Sequence, residues 1–552
     1  AIGQVVQIVQ AVTQIGVGLA QHARAGVVLH SLDGGFRRRP VVERLGLPVP
    51  REGSDVEKRR MIQALFAWIA GDERQHDLQR PEVTDPRVLG AAKLLHYSMG
   101  PTFYCADPRG ALLVLSSLQL WVAHGPCAPL LTGFGGMPLV TIFLKDFRAG
   151  WIAIRHALAV GEARGYEPET SWVRHCAALF VQHWFEPLEA SLPQAQRARE
   201  GLLQGGDLQY ACFTYHTELA AQLDCAPTLD DTAAVIDAAG AFAARTGNGF
   251  FEQVLVQYRA LLRALRDDPA EALPESAAPV PQPGVSDVNP TAVVSHHLIR
   301  ALAGAVFGDA RALQQHAVAA LPLLAYVAGY YAMAQVRFLH GLALAQQAQH
   351  APTDAREPLL SAFEACRDWL AQRADDAPAN FRHLVTWLQA ERAWATGETL
   401  EAMRRFDAAL GEVPPQRPWH RALLTERAAL FHLASGLDRG GRALLAEARS
   451  LYAAWGAAAK VRQMDRAHPA LRTGATTEPR PRDGTTSVSA DSLDMVAILR
   501  ASQALSSETS LARLETRVGE LLGAMTGADS VQLALHGAGG WFVSRVGAGA
   551  QA

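Results

Sequence analysis

The residue types that most often carry chemistry are thinly spread along these 552 residues. His296 and His297 stand side by side. Neighbours on a helix point about 100° apart, so the two do not converge on one metal ion, and a polar start to the helix after Pro290 accounts for them. Cys105, Cys127, Cys176, Cys212, Cys225 and Cys366 are scattered with no CxxC spacing. That pattern disfavours a zinc site or a disulfide framework, and reads as small buried hydrophobes in a reducing compartment. Gly133-Phe134-Gly135-Gly136 is a glycine cluster with no buried strand before it, so it predicts a turn between helices and not a dinucleotide cradle. The sequence contains no GxxxxGK[ST] loop, no HExxH and no GxSxG. The expectation is a chain without catalytic, cofactor-binding or metal-ligating residues.

The remaining polar pattern points to structural ties. Glu391 lies six residues before Gly397 and Arg404 seven after it. If Gly397 is the turn of an antiparallel hairpin, those two side chains reach the same height and pair across it. A ligand contact on a concave face is the functional alternative for the same residues.

The elements that would position these side chains are helices. Lys+Arg 51 against Asp+Glu 54 leaves a net charge of −3, which offers no basic field to nucleic acid or to an anionic membrane. An apolar fraction of 49% supplies core, and an Ala-rich chain with 7% aromatics favours packed helices. Ala1 to Ala20 already reads as helix interior and not as a signal peptide. Leu444, Ala448, Leu451 and Trp455 fall on one helical stripe, which predicts a buried Trp455. Phe381, Leu384, Val385 and Leu388 form one face of a further helix, and Trp387, Ala390 and Trp394 a second. A helix apolar on two sides has neighbours on two sides, as stacked helical pairs require.

The turns share one form. Gly206-Asp207, Gly308-Asp309, Gly397-Glu398 and Gly436-Leu437-Asp438 each place a glycine to end one helix and an acid at the positive start of the next. Gly397 and Gly436 are 39 residues apart, close to one two-helix repeat. The charge-free stretch Ala317 to Ala334 is interrupted by Pro322 and Gly329 and reads as a buried helix pair around a proline turn, without membrane insertion. Residues 267–290 hold six prolines and predict a loop or hinge, and 471–490, rich in Thr, Ser, Gly and Pro, a linker. A joining helix is expected over 491–510. Over 511–552, a helix through Leu514, Val518 and Leu521 precedes alternation at Val531, Leu533 and Leu535 and a glycine-rich turn into Trp541, the opening of an α/β domain.

One family carries several of these stretches together. Ala377-Pro378-Ala379-Asn380-Phe381-Arg382-His383, Ala390-Glu391-Arg392-Ala393, Ala402-Met403-Arg404-Arg405-Phe406, Glu447-Ala448-Arg449 and Tyr452-Ala453-Ala454-Trp455-Gly456-Ala457 with Lys460-Val461 resemble large bacterial signalling kinases. These join a serine/threonine-kinase-like domain, an AAA-type NTPase, a tetratricopeptide-like helical region, a GAF domain and a sensor histidine kinase. Gly150-Trp151 through Trp184, Gly206 to Ala211, and Ser492 to Thr509 look like the same helical region and the helix before its GAF domain. The resemblance implies a mainly α fold. It would be a tetratricopeptide-like α-solenoid of antiparallel helix pairs over 1–470, then a truncated GAF-like start. Asn380, His383, Glu391, Arg404, Trp455 and Lys460 are the structural motif residues it singles out. No position matches the family's kinase, Walker or phospho-acceptor motifs, so the resemblance implies a non-catalytic piece from the middle of such a protein.

The function expected from this reading is regulatory. The helical region would act in the cytoplasm as a scaffold of a two-component-type signal-transduction kinase. It would hold a protein partner or neighbouring domains of the same polypeptide and relay signal to the GAF and histidine kinase domains. A free-standing tetratricopeptide-like adaptor is the rival expectation. Neither requires a cofactor or nucleic acid.

Overall fold

The computed structural model describes residues 55–104, 110–267, 289–473, 530–537 and 540–547. The chain divides into two units, Ala1–Ala475 and Thr476–Ala552. The first is mainly helical. Helices α1 (Asp55–Ala70), α2 (Pro86–Tyr104), α3 (Gly110–His124), α4 (Ala128–Gly135), α5 (Met137–Phe143), α6 (Phe147–Arg164) and α7 (Glu169–Phe180) come first. Helical hairpins follow: α8 (Ser191–Gln204) with α9 (Leu208–Cys225), α10 (Leu229–Thr246) with α11 (Gly249–Arg266), and α12 (Pro290–Phe307) with α13 (Ala310–Ala320). The series continues with α14 (Ala332–His350) on α15 (Thr353–Asp376), α16 (Pro378–Thr396) on α17 (Thr399–Glu412), and α18 (Pro418–Ala434) on α19 (Asp438–Trp455). Two short helices, α20 (Ala458–Ala467) and α21 (Ala470–Thr473), end the unit's described part.

The glycine turns are built as their sequence predicts. Gly206, Gly308, Gly397 and Gly436 all take left-handed backbone, φ +73° to +79°, which a side chain rarely adopts. The Asp207 and Asp309 carboxylates then accept the Tyr210 and Ala312 N–H groups at 3.0 and 2.9 Å, capping α9 and α13. Glu398 is one methylene too long for that reach and instead accepts the Thr396 hydroxyl at 2.8 Å. The same turn recurs at Gly247-Asn248, where Asn248 caps α11 through the Phe251 N–H at 3.0 Å.

Packing follows the two-sided pattern. Phe381, Leu384, Trp387, Leu388 and Ala390 of α16 are all buried, since α14, α15 and α17 each lie against it. Trp455 is 1% exposed, and its seam runs through Leu445, Ala448 and Tyr452, with Leu444 and Leu451 at the margin. The expected stripe was therefore turned by one residue. The stretch 317–334 forms the end of α13, a 3-10 segment Leu321–Val327 and the start of α14. No helix among the described residues is long and apolar enough to cross a membrane.

Two features differ from the sequence reading. Gly133 and Gly135 lie inside α4, and only Gly136 is a junction. A Cβ at Gly133 would sit 2.3 Å from the Ser117 side chain and one at Gly135 2.3 Å from Trp172, so these glycines serve close helix packing. More consequentially, the stack folds back on itself. In an open solenoid each repeat touches only its neighbours. Here α9 lies against α18, and α11 and α12 against α20. Gln463 donates to the Phe307 carbonyl at 2.8 Å and Arg462 to the Arg266 carbonyl at 3.1 Å.

The described part of the second unit is an antiparallel hairpin, β1 (Ser530–Gly537) with β2 (Gly540–Gly547). Val531 faces Val546, and Leu535 faces Phe542. Residues 471–473 of the expected linker belong to α21, and the rest of it, the helix expected from Ala1, most of the proline-rich loop, the joining helix and the helix over 511–527 lie outside the described residues, as does Cys105.

Candidate functional site

The residues singled out by the sequence gather in polar ties within the helical unit. Asn380, at the start of α16, is fully buried and uses its whole amide. Its Nδ2 donates to the His183 and Glu186 carbonyls, both at 2.8 Å, and its Oδ1 accepts from the Leu188 N–H at 2.9 Å and from Arg417 at 3.2 Å. Two donors and two acceptors are thereby all satisfied. Arg417, 1% exposed, turns its other side to Glu189 at 2.5 Å and to the Cys225 sulfur at 2.9 Å. Loop 183–189 and the start of α18 are thus clamped together through residues about two hundred positions apart.

His383 lies one turn further along α16 in a second tie. Asp224, at the end of α9, accepts the Trp419 indole N–H at 2.8 Å and the Gln335 amide at 3.0 Å. Its other oxygen faces His420 Nε2 at 3.4 Å, and His420 Nδ1 meets His383 Nε2 at 2.8 Å. Burial alone would raise the Asp224 carboxyl. His420, Arg417 and the Trp419 N–H more than offset it and hold the group below its ordinary value. Burial pushes both imidazoles down, His383 far below the usual range, so both are neutral. One tautomer set fits: His420 points Nε2–H at the carboxylate and accepts the His383 Nε2–H on Nδ1. The chain carboxylate–imidazole–imidazole has the order of a proton relay, but it ends inside packed helices. It holds α9, α14, α16 and α18 together.

Glu391 is fully buried, and its partner is not the expected one. Arg427 of α18 grips it with two hydrogen bonds, 2.8 and 2.6 Å, and the Trp387 indole adds a third at 3.1 Å. Arg404 is exposed on α17. Equal height across a hairpin was the basis of the expected pair, yet the Glu391 carboxylate is turned towards α14 and α18, where Gln349 also reaches it. Lys460 pairs with Glu426 at 2.6 Å, and Glu426 also accepts the Tyr452 hydroxyl at 2.9 Å, beside the buried Trp455.

Next to the Asp224 tie lies a small cavity of about 40 Å³. Tyr331, Gln335, His216, Ser191 and Thr217 help to line it. The buried Ser191 and Thr217 hydroxyls have no hydrogen-bond partner there, which suits ordered water in a polar cavity. The described cysteines are buried and free, and burial raises their thiols, to about 11 for Cys127 and Cys366.

The histidines after Pro290 do converge, contrary to the sequence reading. His316 on α13 comes opposite His297 on α12, with Nδ1 to Nδ1 at 3.0 Å. One imidazole nitrogen from each of His296, His297 and His316 lies within 4.8 Å of the others. The two adjacent side chains straddle the seam of the hairpin, and the third closes it from the other helix. The sequence argument had excluded a shared ion because neighbours on a helix diverge, and it lacked the third ring from the facing helix. Arg300, one turn along α12, places a guanidinium nitrogen 2.8 Å from His296 Nδ1. No protein-family description, curated protein or solved structure matches this chain.

Proposed function

We propose that this chain is a regulatory helical scaffold of a bacterial signal-transduction kinase, acting in the cytoplasm through protein contacts and not through chemistry of its own. One observation supports the reading above others. Of the six motif residues that the family resemblance singles out, Asn380, His383, Glu391 and Lys460 hold interior ties of the helical unit and Trp455 packs in its core, while Arg404 is exposed. Residues spaced to hold a scaffold are what a scaffold conserves physically, since removing one partner of a buried pair is costly. The back-folded stack turns distant helix pairs into one body, so a push at one helix pair is felt at others. The β1–β2 hairpin suits the opening of a GAF-like domain, to which a helix over 491–510 would pass that motion. Partners are neighbouring domains of the same polypeptide or a separate protein.

The test begins with the DNA on both sides of this reading frame. Kinase-coding frames joined to it are the expected result. In the joined protein, autophosphorylation should change when Arg427→Ala loosens the Glu391 tie while the kinase domains stay folded. Stop codons at both ends, with no kinase in frame, would favour a free-standing adaptor and overturn the proposal.

A further inference from the structure

We propose that His296, His297 and His316 form a binding site for a divalent transition-metal ion of the zinc class, with three imidazole nitrogens as ligands and a fourth position left to water. The inference is independent of the kinase reading.

The geometry is set by a stiff hairpin. Gly308 turns it in left-handed backbone, Asp309 caps α13, and α13 approaches so closely that a Cβ on Gly304 would lie 2.6 Å from the Leu313 nitrogen. Two imidazoles from opposite helices are thereby brought together, tilted by 40° with their Nδ1 atoms in contact. Nitrogens 3.0 Å apart on His297 and His316 subtend roughly 90° at an ion about 2.1 Å from each, within the range that a distorted four-coordinate site accepts. His296 is buried while His297 and His316 are half-buried, so the cluster has a dry back and an open front. Each neutral imidazole carries one lone pair; Arg300 covers that of His296 and the His297–His316 contact occupies one of the other two, so an ion must take the place of both contacts. Three imidazoles without a carboxylate select borderline ions such as Zn²⁺, Cu²⁺, Ni²⁺ or Co²⁺ and leave Mg²⁺ and Ca²⁺ aside.

Arg300 gives the proposal its sharpest edge. Its guanidinium donates to His296 Nδ1 at 2.8 Å and so covers a nitrogen the ion could use. A cation must either displace that contact or take the other nitrogen of His296 while lying near a fixed positive charge. Arg300 therefore weakens metal binding, and its removal strengthens it.

The experiment titrates the purified chain with ZnSO4 by calorimetry and with CoCl2 by visible absorption. One ion per chain, with the intense bands of four-coordinate Co²⁺ displaced by Zn²⁺, is the expected result. His316→Gln and His297→Gln should each weaken binding by ~100-fold or more, at or beyond the loss that outer-shell partners cause. Arg300→Gln should tighten it. Circular dichroism checks that each variant is folded. Should His316→Gln unfold, the native Co²⁺ spectrum and Arg300→Gln decide alone. No saturable ion, binding unchanged in both glutamine variants, or weaker binding in Arg300→Gln would overturn the site and identify the cluster as a hydrogen-bonded pair of rings.

Discussion

Among the described residues two pairs of histidines meet nitrogen to nitrogen, His383 with His420 at 2.8 Å and His297 with His316 at 3.0 Å. The first is sealed in the core and backed by the Asp224 carboxylate; the second is half-buried, and the ring beside it, His296, carries the Arg300 guanidinium. A negative neighbour with two further donors uses up the sealed pair, which then acts as a strut between helices. The other pair's cluster holds no carboxylate, so a cation from solution can supply the charge, in competition with Arg300. The contact is the same and the surroundings assign its role.

The largest effect should come from removing the anion of the sealed pair. Asp224→Ala leaves the Trp419, Gln335 and His420 N–H groups buried with no acceptor, beside the charged Arg417. It should cost about 3–5 kcal/mol in urea unfolding. Equal losses from Asp224→Ala and from His316→Gln in metal-free protein would erase the distinction between the two pairs.

Arg427→Ala and Arg404→Ala make the second test, at one buried and one exposed arginine. Uncovering the Glu391 carboxylate should cost ~3–5 kcal/mol, while the Arg404 change should stay within about 0.5 kcal/mol. A measurable loss at Arg404 would restore the pairing across Gly397 that the sequence suggested.

A smaller and graded effect is expected from acid. His175, His183 and His383 are buried and His216 half-buried, and desolvation lowers their imidazoles, to about 4, 3 and 3 for His175, His183 and His216 and well below the usual range for His383. In the unfolded chain each ionises near pH 6.5, so between that value and about 4 the unfolded state binds more protons. Stability is therefore full above pH 6.5 and declines as pH falls through that window. Urea midpoints at pH 7.5 and 5 check it. The decline should persist in His297→Gln, because the sealed histidines carry it.

The helices and their glycine turns were legible because both are local. An apolar residue every third or fourth position and a Gly-Asp pair act on the same few turns of backbone that they describe. The Gly206, Gly308, Gly397 and Gly436 turns needed nothing else. What was not legible is which faces meet across long separations. Position relative to the Gly397 turn gave Glu391 Arg404 as its partner and did not name Arg427, and helix geometry set His296 and His297 apart without showing the third ring from the facing helix. Ambiguity of one residue in the Trp455 seam has the same origin, since Leu444 and Leu445 suit an apolar stripe equally and the neighbouring helix decides.

The tie between Arg417 and Glu189 spans 228 residues, and this orders events during synthesis. A ribosome adding about 5–20 residues per second needs roughly 11–46 s to cover that distance. For most of that interval α8 and α9 have already emerged while Asp224 waits for Trp419, and the Leu188 amide waits for Asn380. Nascent chains halted before residue 380 should present that unfinished surface to chaperones, and chains halted beyond residue 470 should release it. The helical pairs can form as they emerge, but the unit becomes one body only when its last helices arrive.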